Sequence, residues 1–140
     1  MAIKQLNPYL HFNGTAGKAI KFYESALGAK VESLMPWADV PGVPPMPGTK
    51  DLVMHSKLLI GGGILMISDA RPDTPVTFGS NADIALDFDD ATDMARKFEA
   101  LSTGGKIEMP LQDTFWGAKF GMLTDVHGVS WMFSCETKKG

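Results

Sequence analysis

The chain has 140 residues, of which 44% are hydrophobic and 21% charged, and 13 Lys and Arg stand against 16 Asp and Glu for a formal net charge of −3. This length can bury a core, and the composition is that of an ordinary globular domain. The acidic balance, with no basic cluster beyond Lys138 and Lys139 at the tail, lacks the electrostatic footprint of a nucleic-acid binder.

Residues 6–12 alternate, with Pro8, Leu10 and Phe12 apolar on one face and Asn7, Tyr9 and His11 on the other, which predicts a strand. Asn13-Gly14-Thr15 supplies a turn, and Ala16–Leu27 follows as a helix. Ala19, Ile20, Phe22, Tyr23 and Leu27 form its apolar stripe, and Gly28 ends it. Lys30–Met35 reads as a second strand. Pro36 to Lys50 carries Pro41, Pro44, Pro45 and Pro47, too many prolines for regular structure, so a lid or binding loop is expected. Leu52–Ile60 and Ile64–Ser68 form a hairpin around Gly61-Gly62-Gly63. Those glycines join two strands, not a strand and a helix, so they are no phosphate loop.

After a linker from Asp69 to Ser80 the order repeats. Asp83–Phe88 is a strand, Asp90-Ala91-Thr92 opens a helix that ends at Gly104-Gly105, and Lys106–Met109, Lys119–Thr124 and Val129–Cys135 are strands. The repeat is also literal. A shift of 76 carries Leu10 and Phe12 onto Leu86 and Phe88, Ala19, Lys21 and Phe22 onto Ala95, Lys97 and Phe98, and Gly28 onto Gly104. Near the module ends the shift is 66, and Met66 and Ser68 fall on Met132 and Ser134. The fold class is therefore α+β: two βαβββ modules, about 1–70 and 81–137, that form cupped mixed sheets with helices outside. A module this short buries its sheet poorly alone, so the two are expected to pack as one domain.

The lone Cys135 excludes an internal disulfide and fits a reducing compartment. No charged-then-apolar segment opens the chain, and no apolar run reaches a membrane-spanning length. A cytoplasmic protein with no membrane partner is expected.

Several segments together resemble the vicinal-oxygen-chelate superfamily of glyoxalases, ring-cleaving dioxygenases and bleomycin-resistance proteins, and within it the PhnB-like branch. They are Pro8-Tyr9-Leu10-His11-Phe12-Asn13-Gly14, Phe22-Tyr23 with Leu27-Gly28-Ala29, Met66-Ile67-Ser68-Asp69-Ala70 with Pro72, Gln112-Asp113-Thr114-Phe115-Trp116-Gly117, and Asp125-Val126-His127-Gly128-Val129-Ser130-Trp131-Met132. The resemblance implies a homodimer and a cup that takes a small molecule. In metal-dependent relatives four inward His, Gln or Glu ligands come from the first and last strands of each half. They match Asn7, Met66, Asp83 and Met132 here. Two thioethers and an amide leave one carboxylate, a poor donor set for a hard or borderline divalent ion. No metal and no cofactor is therefore expected, with an atypical divalent site as the alternative. Proteins of this branch have been labelled methyltransferases, yet no glycine-rich loop follows a strand in the way S-adenosylmethionine requires.

Strand alternation puts Tyr9, His11, His55 and Lys57 in the cup. His55, His11 and Asp83 are the candidates for acid–base chemistry if the protein is an enzyme. Each also has a plainer reading: a histidine hydrogen-bonded at a sheet edge or dimer interface, or an aspartate that caps or pairs with a lysine. Asn7, Tyr9, Trp37, Met66, Phe115, Trp116, Lys119 and Met132 are the candidate ligand-binding residues. Methionines adapt to apolar ligands, and aromatic residues in loops favour binding surface over core. Trp131 is expected to pack against the helix, and Asp69 to serve a turn. The reading that follows is a metal-independent small-molecule binder. A glyoxalase- or dioxygenase-type enzyme stands as the alternative.

Overall fold

The computed structural model describes residues 2–42 and 50–137. Pro44, Pro45 and Pro47 of the proline-rich stretch, and Lys138 and Lys139, lie outside these. The chain divides into two compact units, Met1–Thr77 and Phe78–Gly140. The first contains β1 (Tyr9–Phe12), α1 (Ala16–Leu27), β2 (Lys30–Pro36), a 3-10 turn at Trp37–Asp39, β3 (Val53–Ile60) and β4 (Gly63–Asp69). The second contains β5 (Ile84–Phe88), α2 (Ala91–Ser102), β6 (Lys106–Asp113), β7 (Ala118–Thr124) and β8 (Ser130–Glu136). Each unit is βαβββ, as the repeat predicts.

The two sheets have the same topology. Their strand orders are β1-β4-β3-β2 and β5-β8-β7-β6. The first and last strands of each unit run parallel, and the remaining neighbours run antiparallel. The register repeats as well: Tyr9 pairs with Met66 in the first sheet and Ala85 with Met132 in the second. The offsets of 76 and 66 in sequence are thus the same pair of ladder positions seen twice.

One face of each sheet is covered by its helix. Phe12, Leu58, Leu65 and Ile67 are buried with Ala16, Ala19, Ile20 and Tyr23 of α1. In the second unit Trp131, Phe133 and Leu123 are buried with Met94, Phe98 and Leu101 of α2, and the Phe98 and Phe133 rings meet edge-on at 5.1 Å. Period-two alternation then turns the intervening residues to the opposite face. Trp131 packs on the helix side, as expected, and its indole N–H also donates to the buried Asp125 carboxylate at 2.8 Å.

The boundaries differ from the predicted ones in two instructive places. The first strand begins at Tyr9, three residues inside the alternating stretch, although the Met66 N–H still donates to the Pro8 carbonyl at 3.1 Å. The sixth strand runs on through Pro110 to Asp113, beyond the predicted stop at Met109. It is an edge strand, so a missing N–H can face outward without loss, and the ladder shifts register between Met109 and Gln112 around that proline.

The helix starts show how each unit is tied. In α2 the Asp90 side chain caps locally, accepting from the Thr92 and Asp93 N–H groups at 2.9 and 3.2 Å. Thr15 at the start of α1 makes no such bond. Its place is taken by Asp69, at the far end of β4, whose Oδ1 accepts from Gly14 N–H at 2.8 Å and Ala16 N–H at 2.9 Å. Asp69 Oδ2 accepts from Val53 N–H at 3.0 Å, at the start of β3. The side chain is 1% exposed, so these donors are satisfied by a carboxylate, not by water. Asp69 does more than serve a turn.

Removing that carboxylate strands three backbone N–H groups. Asp69→Ala is expected to lower the unfolding free energy by about 3 kcal/mol or more, read from urea denaturation. Asp69→Asn keeps one acceptor oxygen and is expected to cost less.

Candidate functional site

The face of the first sheet turned away from α1 carries the chemistry. A row of register partners crosses all four strands: Ser33 of β2, Lys57 of β3, Met66 of β4 and Tyr9 of β1. A second row joins His11 to Ser68, and His55 pairs with Met35. Asn7 lies two residues before Tyr9, ahead of the strand. The strands read polar here because this face has no helix to bury against.

Hydrogen bonds lock these side chains together. The Tyr9 hydroxyl and His55 Nδ1 share a bond of 2.7 Å, reaching from β1 across β4 to β3. His11 Nδ1 and the Ser68 hydroxyl share another of 2.7 Å. The Tyr9 and His11 rings stack with centroids 4.6 Å apart, and the Tyr9 and His55 rings meet edge-on at 5.6 Å. Tyr9 is thus the hinge of a cluster containing both histidines. Tyr9 is 38% exposed, whereas Ser68 is 4% exposed and anchors His11 from beneath.

Beyond the end of this face stands Trp37. Its indole N–H donates to the Asp69 carbonyl at 3.1 Å, and its backbone N–H donates to the Leu52 carbonyl at 2.9 Å, closing the base of the loop from 37 to 52. The Arg71 guanidinium lies over the Trp37 ring at 5.9 Å. The aromatic residue expected to form binding surface is held in a fixed pose by this cation and these bonds.

In the second unit the corresponding face carries Ala85, Asp87, Met132, Ser134, Phe120 and Met122 by register. Asp83 is exposed just before β5, two residues from Ala85. Phe115 and Trp116 form the turn between β6 and β7, their rings edge-on at 5.0 Å, and Trp116 also meets Phe120 at 5.9 Å. Phe115 is 97% exposed and Trp116 56%. Lys119 pairs with Cys135, one residue out of phase with Met132, so the ladder sets it on the row of the helix side. It makes no ion pair with its cross-strand neighbour Asp113.

The structure therefore brings together Tyr9, His11, His55, Met66 and Lys57 in one unit, and places Asp83, Met132, Phe115, Trp116 and Lys119 in the other. Ser68 was not singled out from sequence. Its signal was its place two residues after Met66, in phase with it, and opposite His11 in a parallel ladder. The four positions that the resemblance implies for a divalent metal offer an amide, a carboxylate and two thioethers. That donor set does not fit a hard or borderline ion. Among the described residues no three His, Cys, Asp or Glu side chains stand close enough to hold a metal, and no helix is long and apolar enough to cross a membrane.

Comparison with known proteins agrees with the fold. Residues 5–133 match the family described as the Glyoxalase/Bleomycin resistance protein/Dioxygenase superfamily. The chain is 33% identical over 138 residues to protein YjdN of Escherichia coli K12, covering 92% of this chain and 93% of that one. Among solved structures, protein PA1353 from Pseudomonas aeruginosa superposes with a TM-score of 0.86 at 40% identity, covering 97% of this chain and 100% of that one. A PhnB protein from Bacillus cereus superposes with a TM-score of 0.77 at 27% identity, covering 94% and 99%.

The cluster makes a direct prediction. Tyr9→Phe keeps the ring stack on His11 but deletes the bond to His55. The His55 ring ¹⁵N resonances are expected to move and those of His11 to stay nearly fixed, at a stability cost of about 1 kcal/mol or less in urea.

Proposed function

The chain belongs to the glyoxalase/bleomycin resistance protein/dioxygenase superfamily, and on that premise we propose that it is a metal-independent protein that binds and sequesters a small molecule. The observation that carries this reading is the pair Met66 and Met132. Each sits on the face of its sheet turned away from the helix, in register with Tyr9 and Ala85. A thioether is a flexible, polarizable surface for an apolar group and a weak partner for a divalent ion. Beside Met66 the first sheet offers a stacked Tyr9–His11 pair and hydrogen-bonding groups on Ser33, Lys57 and His55. This is the mixture of apolar area and a few fixed polar groups that binding sites use. Met132, Met122 and Phe120 give the second sheet a comparable apolar face, with Asp83, Phe115 and Trp116 as further candidate contacts in that unit and Asn7 and Trp37 in the first; Lys119, in the row of the helix side, is not among them. A cytoplasmic homodimer belongs to the same reading.

The alternative is an enzyme of the glyoxalase or dioxygenase type that uses His55, His11 and Asp83, or an atypical metal. The observation that favours it is the hydrogen bonding of both imidazoles, to Tyr9 and Ser68, since an acid–base residue works only when held in place.

The two readings separate by measurement. Protein purified without chelator is expected to contain no stoichiometric metal by elemental analysis, and chelator-treated protein to keep its Tm and to gain Tm with members of a small-molecule panel. If divalent ions alone raise the Tm, or if a stoichiometric metal is present and is lost in His55→Ala, the enzyme reading replaces the binder.

A further inference from the structure

We propose that the face of the first sheet is an oxyanion site: it receives the carboxylate or phosphate-type end of an organic ligand. This rests on the small-molecule reading above and narrows its chemistry.

Both histidines are tethered through the same ring atom. His55 Nδ1 is engaged by the Tyr9 hydroxyl and His11 Nδ1 by the Ser68 hydroxyl. Among the described residues neither Nε2 has a partner. The hydroxyl at Nδ1 decides what Nε2 offers. If it donates to Nδ1, the neutral ring carries its proton on Nε2. If the ring is protonated, Nε2 again carries a proton. Only the remaining neutral tautomer presents a lone pair, and an incoming oxyanion selects against it. Each tether therefore leaves an N–H donor available to an acceptor arriving on this face.

The third donor is Lys57. Its side chain lies in the Ser33–Lys57–Met66–Tyr9 row, two residues from His55 on the same strand. It is half-buried and makes no ion pair or hydrogen bond among the described residues. The lysine stem can lie along the sheet while its ammonium reaches an incoming group, and an anionic ligand supplies the counter-charge that no described side chain provides.

Among the described residues of the first unit, no carboxylate holds a register position on this face. Tyr9, His11, Ser33, Met35, His55, Lys57, Met66 and Ser68 share the face by register with Lys30, Leu59 and Ile64, and none is a carboxylate. Asp69, one residue past Ser68, is buried and committed to Gly14, Ala16 and Val53. Glu32 sits at the register shift of the edge strand, between Val31 and Ser33. The face thus offers two imidazole nitrogens, an ammonium and hydroxyl groups around an apolar thioether and phenol. An oxyanion attached to an aromatic or aliphatic body matches that pattern, because charge-assisted bonds hold the anion while Met66 and Tyr9 meet the body.

The test uses the full-length protein and four probes of similar size: benzoate, phenyl phosphate, the neutral benzamide and the cationic benzylamine. Histidine ring ¹⁵N spectra are recorded through each titration. Benzoate or phenyl phosphate is expected to shift the His11 and His55 Nε2 signals to saturation, with benzamide and benzylamine at least about tenfold weaker. Lys57→Gln is expected to weaken the anions by about fivefold to tenfold and leave benzamide unchanged. Its circular dichroism and Tm report whether the variant is folded, and His55→Gln provides a second variant with the same expected loss. Benzamide or benzylamine binding at these histidines as tightly as benzoate overturns the oxyanion assignment while the binding reading stands. If no probe of any charge reaches either histidine, both fall.

Discussion

A single buried carboxylate holds the first unit in shape. Asp69 closes β4, and its two oxygens gather the N–H groups that open α1 and β3. Its own backbone carbonyl accepts from Trp37, and the next residue, Ala70, donates to Phe12 at 2.7 Å. The start of the helix, the ends of β1 and β4, the start of β3 and the base of the 37–52 loop thus converge on one residue. Burying a charge is unfavourable unless it is fully hydrogen-bonded. Here the bonds are complete, so any arrangement that separates these elements leaves either the carboxylate or its donors bare.

The duplicate solves the same problem differently. The ladder position of Asp69, opposite Phe12, is occupied in the second sheet by Cys135, opposite Phe88. The position of Asp90, which caps α2, is occupied in the first unit by Gly14, from which Asp69 accepts. The acidic group has changed elements while its task at the helix start has stayed. One unit uses a local cap that short-range sequence can supply; the other uses a cap from the far end of the module. Asp125 makes a third such knot, accepting from His127, Val129 and the Trp131 indole. It is this bond that lets a tryptophan with a polar N–H be fully buried.

The chemistry of the face follows from register. In a parallel pair, the residue opposite is fixed once one partner is fixed, and a slip by one moves every side chain to the other face. Tyr9 against Met66 therefore commits His11 to Ser68. The antiparallel pairing of Lys57 with Met66 commits the lysine to the same side. The polar cluster is thus a consequence of a helix covering the other face: Phe12, Leu58, Leu65 and Ile67 take the buried side, and their neighbours have nowhere else to point.

Much of this was legible in the chain itself. The βαβββ order, both helices, the twofold repeat and the phase that sets Tyr9, His11, His55 and Lys57 against Phe12 and Leu58 are all local signals. Periodicity and turn residues act over a few positions, and duplication writes them twice. The partners of those side chains were not legible. That Tyr9 bonds His55, that Ser68 anchors His11, that Asp69 caps a helix it is remote from, and that Lys119 falls out of phase with Met132 all depend on which strands are neighbours and in what register. Strand pairing is a non-local choice, made by burying one face of a whole sheet at once. No short segment of the sequence carries that information, and only the folded chain, with its ladders closed, decides it.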